Sequence, residues 1–504
     1  MTETSASYRR ILKSSSIIGG ASFLNIAIGL VRTKVLAILL GPTGVGLVSL
    51  YRGLMVTASS VATMGMDVVG TRQIAEANAK EDARALAVAR RAMLWGTVVL
   101  GSVGALLVWS LRGLLAARVL GSAVYANAIG WLAVGVALTV VAASQGALIQ
   151  GMRRIADLAR SGVYSATLNT VVGIAVIWKW GESALVFFVV LTPLATFLLN
   201  WWYASRLPKP GTFTISIPEM SHQWKILLRI GVAYMGATVA TSLIQLWIRV
   251  DVGNVLGTHA LGQFQASWTI SQQYIDFILA AMAADYYPRL TGTMHDKKAA
   301  IRLINHQTEI AFLLGAPVFL AMMALAPFVI RLLYSGAFAP AVEVLRWQIL
   351  SDVLKLAAWP LGFLLLAAGD GNAFLWTEVS ALLVMGITVT SLLRIVGLEI
   401  TGVAFLACYV FYLPLVYWLA RRRIAFRWSA SVIRLLAVTF AASVAVDLLA
   451  RFTRWGAIVG CVASIFFAIY ALGRLSHMSD LGGPAGRIGA LARRLTYSIG
   501  LEDD

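Results

Sequence analysis

Three arginines stand inside long apolar runs, where a cation has least reason to be. Arg32 lies nine residues before Gly41, Arg52 eight after Gly44, and Arg249 eight before Gly257. With these runs as helices, each arginine falls roughly 12–14 Å below its turn, near the middle of a bilayer. An ion at that depth costs at least about 2.5–3.5 kcal/mol, so it faces protein, a partner or water rather than lipid. Arginine keeps its proton there and offers a fork of donors matched to phosphate oxygens. Three guanidiniums at one level would make a cationic ring suited to an anionic headgroup, a pyrophosphate above all. The competing reading is internal ion pairing, of Arg52 with a carboxylate such as Asp67 and of Arg249 with Asp251.

A second polar cluster lies further along the chain. Gln348, Asp352 and Lys355 recur at i, i+4 and i+7, one face of a helix. Either Asp352 and Lys355 neutralise each other, or the carboxylate binds and releases H⁺ or Na⁺ as the protein changes conformation. Asp67, Asp276 and Glu378 are further candidates for coupling or gating. Two of the stripes that carry these residues are Arg52, Ser59, Thr63 and Asp67, and Gln265, Thr269, Gln272 and Asp276. Cys408 and Cys461 sit in apolar runs, and there is no CxxC, HExxH, phosphate-binding glycine motif or Ser/His/Asp spacing. No metal, no cofactor beyond a coupling ion and no enzyme activity are expected.

Long helices must position such residues, and the composition supplies them. The chain has 504 residues, 59% hydrophobic and 13% charged, with a mean hydropathy of +0.80. Soluble chains run at about 45–50% apolar and about 25% charged. The excess excludes a cytosolic enzyme, a secreted disulfide scaffold and a disordered chain. About fourteen apolar runs of membrane-crossing length lie between residues 17 and 473. The fold expected is therefore an all-α polytopic membrane protein, with no signal peptide ahead of the first span.

The net charge of +18 would suggest nucleic acid in a soluble protein. Lys and Arg instead gather roughly threefold on the side that holds both termini, which makes the charge a topology device and the termini cytoplasmic. No nucleic-acid partner is expected. The connectors are too short for a separate soluble domain, which argues for transport.

Residues 41–47, Gly-Pro-Thr-Gly-Val-Gly-Leu, match residues 257–263, Gly-Thr-His-Ala-Leu-Gly-Gln, six spans further on. An even spacing makes this a parallel repeat about an axis along the membrane normal. The organisation expected is a lobe of six spans at 1–220, a second at 221–425, and a hairpin of two more at 426–475. Residues 476–504 form a cytoplasmic tail, read either as an amphipathic helix on the membrane surface or as a frayed end.

Gly41-Pro42-Thr43-Gly44-Val45-Gly46 with Tyr51-Arg52-Gly53-Leu54, then Tyr287-Pro288, Trp347-Gln348-x3-Asp352-x2-Lys355 and Glu378-Val379-Ser380, resemble the Wzx-type lipid-linked oligosaccharide flippases. These form the polysaccharide transporter branch of the multidrug/oligosaccharidyl-lipid/polysaccharide (MOP) superfamily. The resemblance runs from about Ile17 to Arg423. It implies two six-helix bundles around a central cationic cavity, alternating access and an undecaprenyl-pyrophosphate-linked oligosaccharide as substrate. Arg52, Arg249, Gln348, Asp352, Lys355 and Glu378 occupy positions that match the family pattern. The two extra C-terminal spans depart from twelve-span members; related lipid II flippases have fourteen.

The expectation is a flippase of the bacterial inner membrane, serving surface polysaccharides such as O-antigen of lipopolysaccharide. Arg32, Arg52, Arg249, Gln348 and Lys355 would hold pyrophosphate and sugar; Asp67, Asp276, Asp352 and Glu378 would couple or gate. Its partners would be membrane lipids and the polymerase or chain-length machinery. Two rivals stand beside it. A multidrug cation antiporter of the same fold would want an acidic cavity, and a non-transporting scaffold of a glycan synthesis complex would leave the buried charges idle.

Overall fold

Backbone amides in hydrocarbon find no water, so every apolar run must satisfy its own hydrogen bonds, and a helix does this within one segment. A computed structural model of the chain follows that rule: no strand occurs among the described residues. These are residues 3–478 apart from 209, 210, 212, 215 and 454. Side chains are described from residue 19 to 475, except at 217, 230, 233, 234, 277, 280, 281 and 283–285.

The helices are α1 (Glu3–Thr63), α2 (Met66–Ala79), α3 (Ala83–Ser110), α4 (Arg112–Val119), α5 (Ala126–Gly151), α6 (Ile155–Trp180) and α7 (Leu185–Ser205). They continue with α8 (Ile217–Thr293), α9 (Lys297–Leu333), α10 (Ala341–Ala367), α11 (Gly371–Val396), α12 (Ile400–Ile424), α13 (Ala430–Phe452) and α14 (Gly456–Met478). Polar loop residues set several starts. Asp82 caps α3 through Ala85 N at 2.9 Å, Asp370 caps α11 through Ala373 N at 3.0 Å, and Ser429 caps α13 through Val432 N at 3.3 Å.

Ten stretches among the described residues are long and apolar enough to cross a membrane. Two of them, Gly19–Thr63 with 45 residues and Ile155–Ser205 with 51, exceed the length that one crossing needs. The chain divides into two compact units. The first is Met1–Gly262 with Leu333–Ser335; the second is Gln263–Leu332 with Gly336–Asp504. In the first, α5 lies at the core against α3, α7, α2 and α1; in the second, α10 does so against α12, α11 and α13.

Ion pairs and hydrogen bonds fasten α13 and α14 onto α9 and α10. Ser464 Oγ donates to Pro317 O at 2.7 Å, Ser431 Oγ donates to Glu309 Oε1 at 2.8 Å, and Asn305 Oδ1 accepts from Ser429 N at 2.7 Å. At the start of α10, Arg346 meets Glu343 at 3.1 Å and Asp447 at 3.6 Å; Arg451 meets Glu343 at 2.6 Å and Asp447 at 3.0 Å. The Arg346 side chain is only 6% exposed, but Arg451 still pairs with both carboxylates once it is removed. Arg346→Ala is therefore expected to cost about 1–3 kcal/mol, read as a lower thermal midpoint in detergent. Arg72→Ala, at a pair with side chains 74% and 54% exposed, should cost less than about 1 kcal/mol.

Candidate functional site

The turn glycines shape the first unit. Gly41 (φ 60°, ψ −170°) breaks α1 into limbs 3–40 and 42–63, and Gly257 (φ 87°, ψ 163°) breaks α8 into limbs 217–256 and 258–293. Both hold a positive φ that a side chain resists, so glycine is the residue that lets a helix fold back there. The two turns also meet. A methyl group on Gly46 would overlap the carbonyl oxygen of Thr258, and one on Gly262 would overlap that of Pro42. Pro42 precedes Gly46 by four residues, as Thr258 precedes Gly262. The contacts are reciprocal, which is the signature of a local two-fold relation.

From this point the limbs 42–63 and 217–256 run antiparallel in close contact. Gly53 leaves room for Leu246 and for Arg249 Cδ, Thr57 Oγ1 donates to Ser242 O at 3.3 Å, and at the far end Gly65 and Gly231 bring their backbones together. Small residues let helix backbones approach where there is no water to drive association.

That seam brings three predicted residues together. The guanidinium charge of Arg52 acts on Arg32 from the other limb of α1 and on Arg249 across the seam. Arg52 is exposed, while Arg32 and Arg249 are half-buried. Among the described residues no carboxylate lies within ion-pair distance of Arg32 or Arg52. Like charges repel, and they stay together only where the surrounding fold over-determines their positions. The arrangement can bind an anion. All three arginines belong to the first compact unit, because the limb that carries Arg249 is held to the limb that carries Arg52.

The second unit builds a different cluster. Asp352 is fully buried; its Oδ2 accepts from Ser271 Oγ at 2.7 Å and from Tyr274 OH at 2.5 Å, and its Oδ1 has no partner. One turn earlier on α10, Gln348 is also fully buried, with neither amide atom partnered. Lys355 donates to Gln272 Oε1 at 2.8 Å instead of pairing with Asp352. Glu378 accepts from Tyr412 OH at 2.6 Å, within electrostatic reach of Lys355. Asp276 is exposed but close enough to act on Asp352. The two make no direct hydrogen bond, yet the Lys355 charge still acts on the Asp352 carboxylate. Unpartnered buried oxygens and a carboxylate held by two hydroxyls are chemistry for a proton or a small cation.

Ser271, Tyr274 and Tyr412 are absent from the sequence-based candidates. The Ser271/Tyr274 spacing beside Gln272 was one available signal; nothing along the sequence singled out Tyr412.

Asp67 needs a correction. Counting along one helix puts it on the face of Arg52, yet α1 ends at Thr63 and Met64 and Gly65 both take positive φ, 48° and 68°. The break turns the chain, so Asp67 opens α2, in its first turn, and makes no ion pair with Arg52. Lys34 points away from Arg32 as its position on the helix requires, and its Nζ donates to Tyr334 O at 2.5 Å. The tail expected to lie on the membrane, residues 479–504, falls outside the described residues.

Comparison with known proteins adds to this geometry. A family model described as "Polysaccharide biosynthesis protein" matches residues 35–343. The lipid III flippase of Escherichia coli (strain K12) is 24% identical over 427 residues, 82% of this chain and 99% of that protein. The lipid III flippase of Shigella flexneri gives the same figures. Among solved structures, the lipid II flippase MurJ in an inward closed conformation superposes with a TM-score of 0.70. It is 11% identical and covers 91% of this chain and 98% of that one. An inward-facing MATE family multidrug resistance transporter of the MOP superfamily gives 0.65 at 15% identity, covering 80% and 94%. The fold is that of the MOP superfamily.

Proposed function

Because the chain belongs to the polysaccharide biosynthesis protein family, we propose that it flips an undecaprenyl-pyrophosphate-linked oligosaccharide from the cytoplasmic to the periplasmic leaflet. It is a multi-pass protein of the bacterial inner membrane, and its named relatives are flippases and transporters rather than enzymes. In this reading there are about fourteen spans, both termini are cytoplasmic, and two six-helix lobes expose a cationic cavity to each side in turn.

The observation that supports it most is the action of Arg52 on both Arg32 and Arg249, from three helical limbs. A pyrophosphate would bridge these guanidiniums through charge-assisted bonds, the prenyl chain would stay in lipid, and the sugars would cross in water. Gln348 and Lys355 would assist on the sugar or pyrophosphate. Asp352, with Glu378 and Asp276, would take up and release H⁺ or Na⁺. Asp67, at the start of α2, would act in gating.

Loss of the protein is expected to leave lipid-linked oligosaccharide accumulating in the cytoplasmic leaflet and the cell surface without its glycan, with wild-type protein restoring both. Unchanged glycan alongside lost efflux of cationic dyes would replace this reading by a drug antiporter. Within it, Asp352→Asn should slow transport about tenfold or more, a change of about 1.4 kcal/mol or above. Substrate binding to the purified protein should stay within about twofold. An equal loss in both measurements would remove Asp352 from coupling.

A further inference from the structure

Two adjoining cavities lie among α2, α3, α5 and α7 of the first unit, and none of Arg32, Arg52, Arg249 or Asp352 lines them. The larger, about 430 Å³, has only apolar side chains in its wall, among them Leu94, Val98, Ala137, Val141, Phe197 and Trp201. The smaller, about 190 Å³, shares Leu94 and Trp201 with it and adds Arg90, Ser144, Gln145 and Ser205. Helical rise orders the two by depth. From the start of α3 at Ala83, Arg90 lies about 10 Å in and Val98 about 22 Å; from the end of α5 at Gly151, Gln145 lies about 9 Å in and Ala137 about 21 Å. The polar cavity is thus at the boundary between headgroups and acyl chains, and the apolar one continues from it along the direction of a lipid tail.

Two polar groups in the shallow cavity lack an adequate partner. Gln145 is 5% exposed, and its Oε1 accepts no hydrogen bond. A buried acceptor left this way costs about 1–3 kcal/mol. Arg90 reaches the Ala204 carbonyl at 3.5 Å, a weak contact, and among the described residues no carboxylate pairs with it. A guanidinium at that depth calls for an anion. The site carries a net positive charge and opens where lipid is the solvent.

We propose that this cleft binds one glycerophospholipid of net negative charge from the cytoplasmic leaflet, taking the termini as cytoplasmic. Its phosphate receives bonds from Arg90, its headgroup lies beside Ser144, Gln145 and Ser205, and one acyl chain fills the apolar cavity. The net charge selects an anionic lipid over a zwitterionic one.

The test uses the full chain purified in mild detergent without any lipid-linked oligosaccharide, so its outcome is independent of export. The chain is incubated with equal amounts of phosphatidylglycerol and phosphatidylethanolamine and examined by native mass spectrometry. One phosphatidylglycerol should be retained per chain, preferred about tenfold or more. Arg90→Gln should reduce that retention about tenfold; Gln145→Leu and Val141→Trp should reduce it too. Wild-type protein exposed to phosphatidylglycerol with a photoreactive acyl chain should cross-link at residues 94–98, 137–141 and 197–201, which needs no variant to fold. No retained lipid, equal retention of both lipids, equal retention by Arg90→Gln, or cross-links elsewhere would each overturn the site. So would a polyprenyl phosphate that displaces the phospholipid, or a polypeptide found in its place.

Discussion

Arg52→Ala is expected to abolish surface-glycan export while the protein stays folded in the membrane, and Arg249→Ala to do the same. Arg52 acts electrostatically on both Arg32 and Arg249, so it is the member on which a bridging pyrophosphate would depend most. Removing one guanidinium from a charge-assisted anion site costs about 1.5–3 kcal/mol, or a loss of roughly one to two orders of magnitude. Arg52→Lys keeps the charge but loses the planar fork, so partial export is expected. Stability separates this from a structural role. Because Arg52 sits among like charges with no acidic partner among the described residues, Arg52→Ala should hold or raise the thermal midpoint. Lost export with unchanged or raised stability marks a functional arginine. Full complementation by both alanine variants would remove the site, and a fall in midpoint would return Arg52 to structure.

Gly46→Leu and Gly262→Leu are expected to destabilise the protein by similar amounts. Each glycine faces a carbonyl oxygen of the opposite turn, at Thr258 and Pro42 respectively. Any side chain there forces the two turns apart, and overpacking of this kind costs typically about 1–3 kcal/mol. The gain in helix propensity on replacing glycine returns less than about 1 kcal/mol. The pair reports one contact seen from two sides, so the double variant should fall short of the sum. Gly29→Leu is the control, since nothing lies within 4 Å of a Cβ placed at Gly29. Thermal midpoints in detergent give the comparison. Unequal losses at Gly46 and Gly262 would deny the local two-fold relation, and a loss of similar size at Gly29 would make the effect generic.

Much of this was legible along the chain because it depends on short-range geometry. Apolar runs without water must be helices, and Gly41 and Gly257 announce the turns through the conformation that only glycine takes easily. The fixed rise of a helix is what predicts that Arg32, Arg52 and Arg249 share one level, and Arg52 does act on both of the others. What a residue pairs with is another matter. Asp67 looked like a neighbour of Arg52 because spacing assumes an unbroken helix, and two residues with positive φ at 64 and 65 end it. Asp352 and Lys355 looked like a pair because they share a face, yet Ser271, Tyr274 and Gln272 from another helix take them separately. Arg346 meets Asp447 about a hundred residues on, where Arg451 joins the same carboxylates, a grouping that no local spacing announces.

The sequence by itself determined the solvent, the helices and the two glycine turns, because hydropathy and backbone sterics act over a few residues. Only the tertiary structure decided which buried charges are shared, which are satisfied and which stand among their own kind. Hydrogen bonds and ion pairs reach only a few ångströms, and which side chains come within that reach depends on how distant helices pack.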